Sequence, residues 1–266
     1  MQIPIPKKTF TFINAKPNEE IYEICIALKD VCGAVASAAE VLSNANVNIC
    51  TSSLFKADDS VGVGYWTSFV DTANANKNIR EIETALRNLS AVQDVRVAKP
   101  EPLAYDVMHF PVMHGGSAAM IMPVELFGSL FEEIEKILTP SGFAAVFYNA
   151  GKKSGAYMTE LFRKRNGIQG QTLLAAIVQG ARAIGWGEIV EVNVAHNSGS
   201  VKIRKCFEAL LRNNQKGKVC HWTRGFIAGV VSQTKGVTVE AVEMRCAANG
   251  DDLCEFEIRP CTERRP

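Results

Sequence analysis

The residues with the clearest chemical potential lie near the end of the 266-residue chain, where Glu243, Cys246 and Cys254 surround an Asn-Gly-Asp turn sequence. Carboxylates and thiolates are both ligands that zinc accepts in proteins. The seven residues between Cys246 and Cys254 are enough for the chain to fold back and bring the two sulfurs together. Residues three apart in a regular strand point to opposite faces, so Glu243 can join them only if a bulge or twist occurs near Met244–Arg245.

A structural zinc site usually has four ligands, and Cys220 is the candidate for the fourth. It lies at the start of a helix predicted over residues 219–236, and a helix N-terminus favours thiolate over thiol. On spacing alone, thiols packed in a hairpin are the simpler interpretation and a zinc site is the alternative. Cys261 could compete as a ligand, although an exposed or packing role is favoured for it. The remaining cysteines lie in apolar elements and are expected in cores: Cys25, Cys32, Cys50 and Cys206.

The composition describes a soluble globular protein, with 47% hydrophobic and 21% charged residues. The 29 basic and 28 acidic residues nearly balance, so the overall charge does not indicate nucleic-acid binding. The N-terminal sequence lacks a secretory signal, and no apolar stretch of about 18 residues is present to cross a membrane. We therefore expect a cytoplasmic protein without a membrane partner, in which thiols stay reduced.

An α+β fold with two domains is predicted from the pattern of hydrophobic residues. Residues 20–98 alternate between strand and helix patterns in the order β-α-β-β-α-β, which is the ferredoxin-like arrangement. Residues 123–260 are predicted to pack helices on an antiparallel sheet. Within them, residues 141–165 are predicted to begin as a strand and continue as a helix.

Residues 99–122 are rich in proline and glycine and are interpreted as a linker. They contain His109 and His114, which could belong to a second metal site. No acidic or thiol partner is recognised near them, so solvent-exposed or packing roles are favoured for both histidines.

The C-terminal sequence resembles the 4-vinyl reductase domain. The resemblance lies in "CHWTRGFIAGVVSQTKG" and "VEAVEMRCAANGDDLCEFEI", with "YNAGKKSG", "AIGWGEIV" and "VAHNSGS" upstream in the expected order. Aromatic-sensing members of this family hold zinc through Cys, then Glu 23 residues later, then Cys at plus three and Cys at plus eight. That pattern matches Cys220, Glu243, Cys246 and Cys254. The resemblance implies a closed, structural Zn²⁺ site, with no open position for activating water.

The same resemblance implies a cavity for a small, largely apolar or aromatic molecule beside the zinc. The candidate lining residues are aromatic or amphipathic: Phe147, Tyr157, Trp186, His196, Trp222 and Phe226. A ligand-responsive sensor or regulator is the favoured function. The alternative is an enzyme or accessory factor in reduction or in cofactor or tetrapyrrole synthesis, although no dinucleotide-binding fingerprint or other catalytic motif is recognised. A scaffold that serves only assembly is a third hypothesis.

The N-terminal sequence resembles an ACT domain, a regulatory module that commonly binds amino acids. Asp30 and Gly33 match the family's strand-to-helix turn, and the pair Asn48–Ile49 matches further on, whereas Cys32 replaces the usual proline. The resemblance implies that an amino acid would contact Asp30, Gly33 and Ala34, with dimerisation as an equal alternative. Because both families pair with themselves, we expect a homodimer whose output passes through a protein partner.

Overall fold

The computed structural model describes residues 12–13, 20–58, 62–100, 104–106, 108–109, 112–114, 117–212 and 217–261. The chain divides into two compact units, Met1–Met113 and His114–Pro266. Both contain helices and antiparallel sheet, so the predicted α+β class is confirmed. Among the described residues, none of the helices combines the length and the apolarity needed to cross a bilayer.

The N-terminal unit contains a four-stranded antiparallel sheet with two helices packed on one face. Its elements, in chain order, are β1 (Phe12–Ile13), β2 (Ile21–Lys29), α1 (Ala34–Asn44), β3 (Asn48–Asp58), β4 (Val63–Asp71), α2 (Ile79–Arg87), β5 (Val92–Ala98) and β6 (Ala104–Tyr105). The main sheet has the strand order β3-β4-β2-β5, and β1 pairs with β6 in a separate two-stranded sheet. Two short strands, β7 (Val112–His114) and β8 (Ser117–Ala119), pair at the boundary in sequence between the units.

Large aliphatic side chains fill the space between this sheet and its helices. Alternate residues of β2 point into it, and these meet Leu42 of α1 and Ile82 and Leu86 of α2, each 1% exposed or less. The start of α2 is fixed by a capping box in which Asn78 and Glu81 bond to each other's backbone amides. The connection 99–122 predicted as a linker contains β6, which belongs to the N-terminal unit.

The C-terminal unit packs helices on a second four-stranded antiparallel sheet, whose strand order is β11-β12-β10-β9. Its elements are α3 (Val124–Ile137), α4 (Pro140–Asn166), α5 (Gly170–Ala183), β9 (Glu188–Val194), β10 (Gly199–Arg204), α6 (Phe207–Leu211), α7 (His221–Lys235), β11 (Val239–Arg245) and β12 (Cys254–Pro260). A 3₁₀ turn at Ala247–Asn249 lies between β11 and β12.

Helix α4 corrects the sequence prediction, which began residues 141–165 as a strand. The segment is helical from its first residue because Thr139 accepts a hydrogen bond from the Gly142 amide and Pro140 occupies the first helical position. The apolar run that follows is compatible with the residue spacing of a helix and with that of a strand. In the structure its side chains form one face of a helix, where Phe143 and Phe147 pack against Phe131 of α3.

Helices α4 and α7 cross at backbone contact. A Cβ atom added at Gly151 would lie 2.1 Å from the Trp222 carbonyl oxygen, and one at Gly225 would lie 2.0 Å from the Tyr148 oxygen. Gly155 and Gly229 repeat this arrangement one turn further along. Only glycine allows two helices to approach so closely, and the crossing fixes the position of α7 relative to the rest of the unit.

Candidate metal centre and apolar cavity

The β11–β12 hairpin brings Glu243, Cys246 and Cys254 to one side. The pairing register between the two strands shifts between Glu243 and Arg245, which confirms the predicted bulge. Beyond it, the 3₁₀ turn ends at Gly250, whose φ of +95° is in the left-handed region. Asp251 holds the turn through a 2.9 Å hydrogen bond from the Cys246 amide. The hairpin thus presents a carboxylate and two thiols on the same face.

Cys220 is the residue immediately before α7, and its side chain completes the group. Its Sγ lies 3.9 Å from the Sγ of Cys246 and 3.7 Å from that of Cys254, and its amide donates a 3.0 Å hydrogen bond to Glu243 Oε2. One ligand atom from each of the four side chains lies within 4.8 Å of all the others. All four residues are 3% exposed or less. We call this group the clasp, because it joins the last hairpin to α7.

The donor set and its spacing fit a tetrahedral metal ion. Zinc–sulfur bonds of about 2.3 Å place neighbouring sulfurs about 3.8 Å apart at tetrahedral angles, close to the observed separations. Burial raises the pKa of Glu243 to about 9, and its contact with Cys246 adds to that rise. A buried divalent cation would reverse this by favouring the carboxylate and thiolate forms. The chemistry of the residues therefore suits Zn²⁺, whose presence stays a prediction.

Two further residues support the clasp, and sequence reasoning missed both of them as site components. The Sγ of Cys206 lies 3.8 Å from that of Cys220 and 3.5 Å from Thr223 Oγ1. Glu208 is fully buried and accepts 2.9 Å hydrogen bonds from the amides of Trp222 and Thr223. Burial, with the neighbouring Cys206, raises the pKa of Glu208 to about 8. The carboxyl group thereby caps the first turn of α7.

An apolar cavity lies beside α7, whose residues from Trp222 to Val231 form one of its walls. Its walls come from α5, β9, β10, α6 and α7, and the space open to the centre of a water-sized molecule is about 60 Å³. One water needs roughly 10–15 Å³ by this measure, so the cavity has room for several atoms. Its lining is aliphatic and aromatic, with Thr223 as a polar side chain: Leu174, Ile177, Val178, Ala181, Trp186, Gly187, Ile189, Val192, Val201, Ile203, Phe207, Trp222, Thr223, Phe226, Ile227, Val230 and Val231.

Residues 200–260 match the family model of the 4-vinyl reductase domain. The matched range runs from β10 to the end of β12 and contains all four clasp residues. An uncharacterised protein of Methanocaldococcus jannaschii, MJ0150, is 27% identical over 139 residues, which are 52% of this chain and 76% of that protein.

Two solved structures also align with about half of the chain. The phenol-responsive sensory domain of the transcription activator PoxR aligns over 55% of this chain and 78% of its own, with 18% identity and a TM-score of 0.48. A vinyl-4-reductase family protein of M. jannaschii aligns over 54% and 85%, with 14% identity and a TM-score of 0.40.

Three of the six aromatic or amphipathic residues predicted for a ligand cavity line the cavity of the C-terminal unit. Trp186, Trp222 and Phe226 also contact one another, with ring centroids 4.9 to 5.2 Å apart. The other three lie elsewhere. Phe147 packs with the phenylalanines of α3 and α4, because helix α4 turns that face away from the cavity. Tyr157 is 64% exposed on α4, and His196 is exposed in the turn between β9 and β10.

The N-terminal turn predicted to contact an amino acid is formed at the expected place. Gly33 precedes α1 with a φ of +86°, and Ala34 is the buried first residue of the helix. Asp30 forms a half-exposed ion pair with Lys56, 2.7 Å apart. Amino-acid binding at this turn stays a prediction. Of the four cysteines expected in cores, Cys25 and Cys206 are buried, whereas Cys32 and Cys50 are exposed because they lie in a turn and on the edge strand β3.

Proposed function

We propose that the C-terminal unit is a zinc-containing domain that binds a small apolar or aromatic molecule, and that the protein acts as a sensor or regulator. The observation that carries this proposal is the apolar cavity directly beside the clasp, with both built on α7. The 4-vinyl reductase domain match over the clasp residues supports the family resemblance found in the sequence.

The lining of the cavity favours binding by shape and burial. The edge-to-face contacts of Trp186 with Trp222 and Phe226 create a rigid aromatic wall, and aliphatic residues of α5 and the sheet form the rest. Such a surface holds an apolar molecule mainly by removing it from water. The Thr223 hydroxyl donates a 2.9 Å hydrogen bond to Glu208, so toward a ligand it can act only as an acceptor.

The clasp supplies rigidity in this proposal. Cys220, Glu243, Cys246 and Cys254 would hold the ion, and Zn²⁺ bound by four protein ligands stabilises the fold without offering an open position for substrate. With the ion in place, the hairpin and the start of α7 behave as one rigid part. The α7 residues that line the cavity are then held in position before a ligand arrives, which lowers the entropic cost of binding.

Thermal denaturation of the purified protein with single-ring aromatics tests the proposal. Toluene and phenol are expected to raise the melting temperature, whereas the charged analogue benzoate is not, because the lining offers no cation to pair with it among the described residues. Ala181→Leu, which fills the cavity, should remove the effect. The control Tyr157→Ala should keep it, because that side chain is exposed away from the cavity. Equal shifts in both variants would refute binding at this site.

Native mass spectrometry of the same protein tests the metal and the oligomeric state together. About one zinc ion per chain is expected in the wild type and none in Cys246→Ser. A homodimer is expected as the main species. Chemical conversion of a retained molecule, instead of simple binding, would favour the enzyme hypothesis over the sensor.

A further inference from the structure

A fully buried carboxylate lies in the sheet of the N-terminal unit, on the face away from the helices. Glu23 is 0% exposed near the start of β2, and its neighbours Ile24 and Ile26 point into the core between sheet and helices. Because side chains alternate along a strand, Glu23 and Cys25 point to the opposite face. Glutamate is almost never buried completely in a protein unless its charge is compensated.

The chain segment that follows β6 places two further metal-binding side chains over this face. His109 Nδ1 lies 2.9 Å from Asp106 Oδ1 and 3.8 Å from Glu23 Oε1. The carboxyl group of Asp106 is also within hydrogen-bonding reach of Glu23. One ligand atom from each of the three residues lies within 4.8 Å of the other two. Side chains from distant parts of the sequence therefore converge on one point.

The imidazole ring is held from several sides. Its Nε2 lies 3.2 Å from Thr67 Oγ1 and 3.7 Å from Cys25 Sγ, both on neighbouring strands of the sheet. The ring of Phe55 packs edge-on against it at 5.1 Å between centroids. The amide of His109 also donates to Asp106, which fixes the backbone. Such fixation of the ring's second nitrogen is typical of histidines that bind metal ions.

Shared protons hold this group together, and a cation could replace them. His109 Nδ1 lies 2.9 Å from Asp106 Oδ1, so one proton lies between the imidazole and that carboxyl group. The carboxyl groups of Asp106 and Glu23 are within hydrogen-bonding reach, and two carboxyl groups can form a hydrogen bond only when one of them is protonated. A divalent cation would take the place of these protons and compensate the charges of the two carboxylates.

We propose that Glu23, Asp106 and His109 bind a divalent transition-metal ion in the N-terminal unit. One imidazole nitrogen and two carboxylate oxygens suit Zn²⁺ or Co²⁺, with bonds of about 2.0–2.2 Å and water completing the coordination. Binding would displace the proton that His109 Nδ1 shares with Asp106. The ion would fasten the segment after β6 to the sheet. This site is separate from the clasp, because it contains no residue of the C-terminal unit.

Cobalt titration of the full-length protein, purified with its zinc in place, tests the proposal. Equilibrium dialysis should show about one Co²⁺ bound per chain in addition to the zinc. Its absorption should lack the intense thiolate-to-cobalt bands, which distinguishes it from Co²⁺ exchanged into the clasp. Failure of the wild type to bind any Co²⁺ beyond the clasp would overturn the proposal, whatever the variants do.

Two single variants test the ligands, and a third is the control. Asp106→Asn and His109→Gln should each weaken cobalt binding at least about tenfold. Asp94→Asn is the matched control, because Asp94 is a half-exposed carboxylate of the same sheet that pairs with Arg87 outside the group. If His109→Gln fails to fold by circular dichroism, Asp106→Asn decides, since its side chain is partly exposed at the surface. Equal cobalt affinity in Asp106→Asn and the wild type would show that these residues are not the ligands.

Discussion

The two units bury their hydrophobic residues in different ways. The N-terminal unit fills the space between sheet and helices with side chains, and Ala38, Leu42, Ile82, Leu86 and Val95 are all 0 or 1% exposed. The C-terminal unit leaves a cavity of about 60 Å³ between α5, α7 and the sheet. A filled core stabilises itself through its own contacts, whereas atoms that line a cavity lose partners on one side.

A domain with a cavity must position its elements by means other than a filled core. The C-terminal unit has two features that hold its elements without filling the space between them. One is the crossing of α4 and α7 at backbone contact through Gly151, Gly155, Gly225 and Gly229. The other is the clasp between the hairpin and α7. Removing either should lower the stability of this unit much more than comparable changes lower that of the N-terminal unit.

The largest expected effect follows loss of the clasp. Cys246→Ser should remove zinc and lower the free energy of unfolding of the C-terminal unit by about 5 kcal/mol, because a structural metal contributes directly to folding. Hydrogen exchange measured by mass spectrometry should show faster exchange in α7 and β12, with α1 and α2 unchanged. The control Cys261→Ser changes an exposed thiol and should have no effect. Unchanged protection in Cys246→Ser would mean that the cavity does not depend on the clasp.

Next in size is the helix crossing. Gly225→Ala places a Cβ atom 2.0 Å from the Tyr148 oxygen, so the helices must separate at a cost of about 3 kcal/mol, measured by urea denaturation. Gly180→Ala is the matched control in α5, where the new atom would meet Phe162 at an ordinary 3.5 Å. Higher helix propensity should make that variant up to about 1 kcal/mol more stable. Equal stability of the two variants would argue against a tight crossing.

Adding the same atoms to both cores should give opposite results. Ala38→Leu inserts three carbons into the filled N-terminal core and should lower the free energy of unfolding by about 2 kcal/mol. Ala181→Leu extends into the cavity and should be neutral or stabilising by about 1 kcal/mol. Denaturant midpoints of the two variants provide the measurement. A loss of similar size in both would show that the cavity cannot accept side-chain atoms.

The smallest effects are expected at two glycines with left-handed backbone. Gly33 and Gly250 have φ values of +86° and +95°, with open space where a Cβ atom would lie. Gly33→Ala and Gly250→Ala should therefore each lower the free energy of unfolding by about 1 kcal/mol. Only Gly250→Ala should also accelerate the release of zinc to a chelator, because its turn connects Cys246 with Cys254. Release of zinc from Gly250→Ala at the wild-type rate would show that the geometry of this turn does not affect how the clasp holds the ion.

The hairpin part of the clasp could be predicted from the sequence, because Glu243, Cys246 and Cys254 are close together in the chain. Cys220 is joined to them only through the family resemblance, because spacing alone favours thiols packed in a hairpin. The three-residue separation of Glu243 and Cys246 required a bulge, and the strands have one.

Of the six residues that the resemblance suggested for a ligand cavity, three line this one: Trp186, Trp222 and Phe226. The sequence could not predict the cavity itself, because Leu174, Val201 and the other aliphatic lining residues have the same pattern as a filled core. Whether the space between elements stays empty depends on the positions of the helices, which the pattern of apolar residues does not specify.

Other features were missed for identifiable reasons. The apolar start of α4 fits both helix and strand periods, and the Thr139–Pro140 cap was the signal that distinguished them. His109 has an acidic neighbour, Asp106, three residues before it, which the irregular sequence pattern of residues 99–122 does not single out. Glu23 could not be associated with them from sequence, because only the tertiary fold brings β2 to this segment.

The first turn of α7 carries residues of both the clasp and the cavity, and this has a thermodynamic consequence. Cys220 is a clasp residue, the side chain of Trp222 lines the cavity, and Glu208 accepts hydrogen bonds from the amides of Trp222 and Thr223 in the same turn. If a ligand shifts this turn, it changes the affinity for zinc, and zinc must change the affinity for the ligand by the same factor. The supply of metal would then set the concentration of the small molecule to which the protein responds.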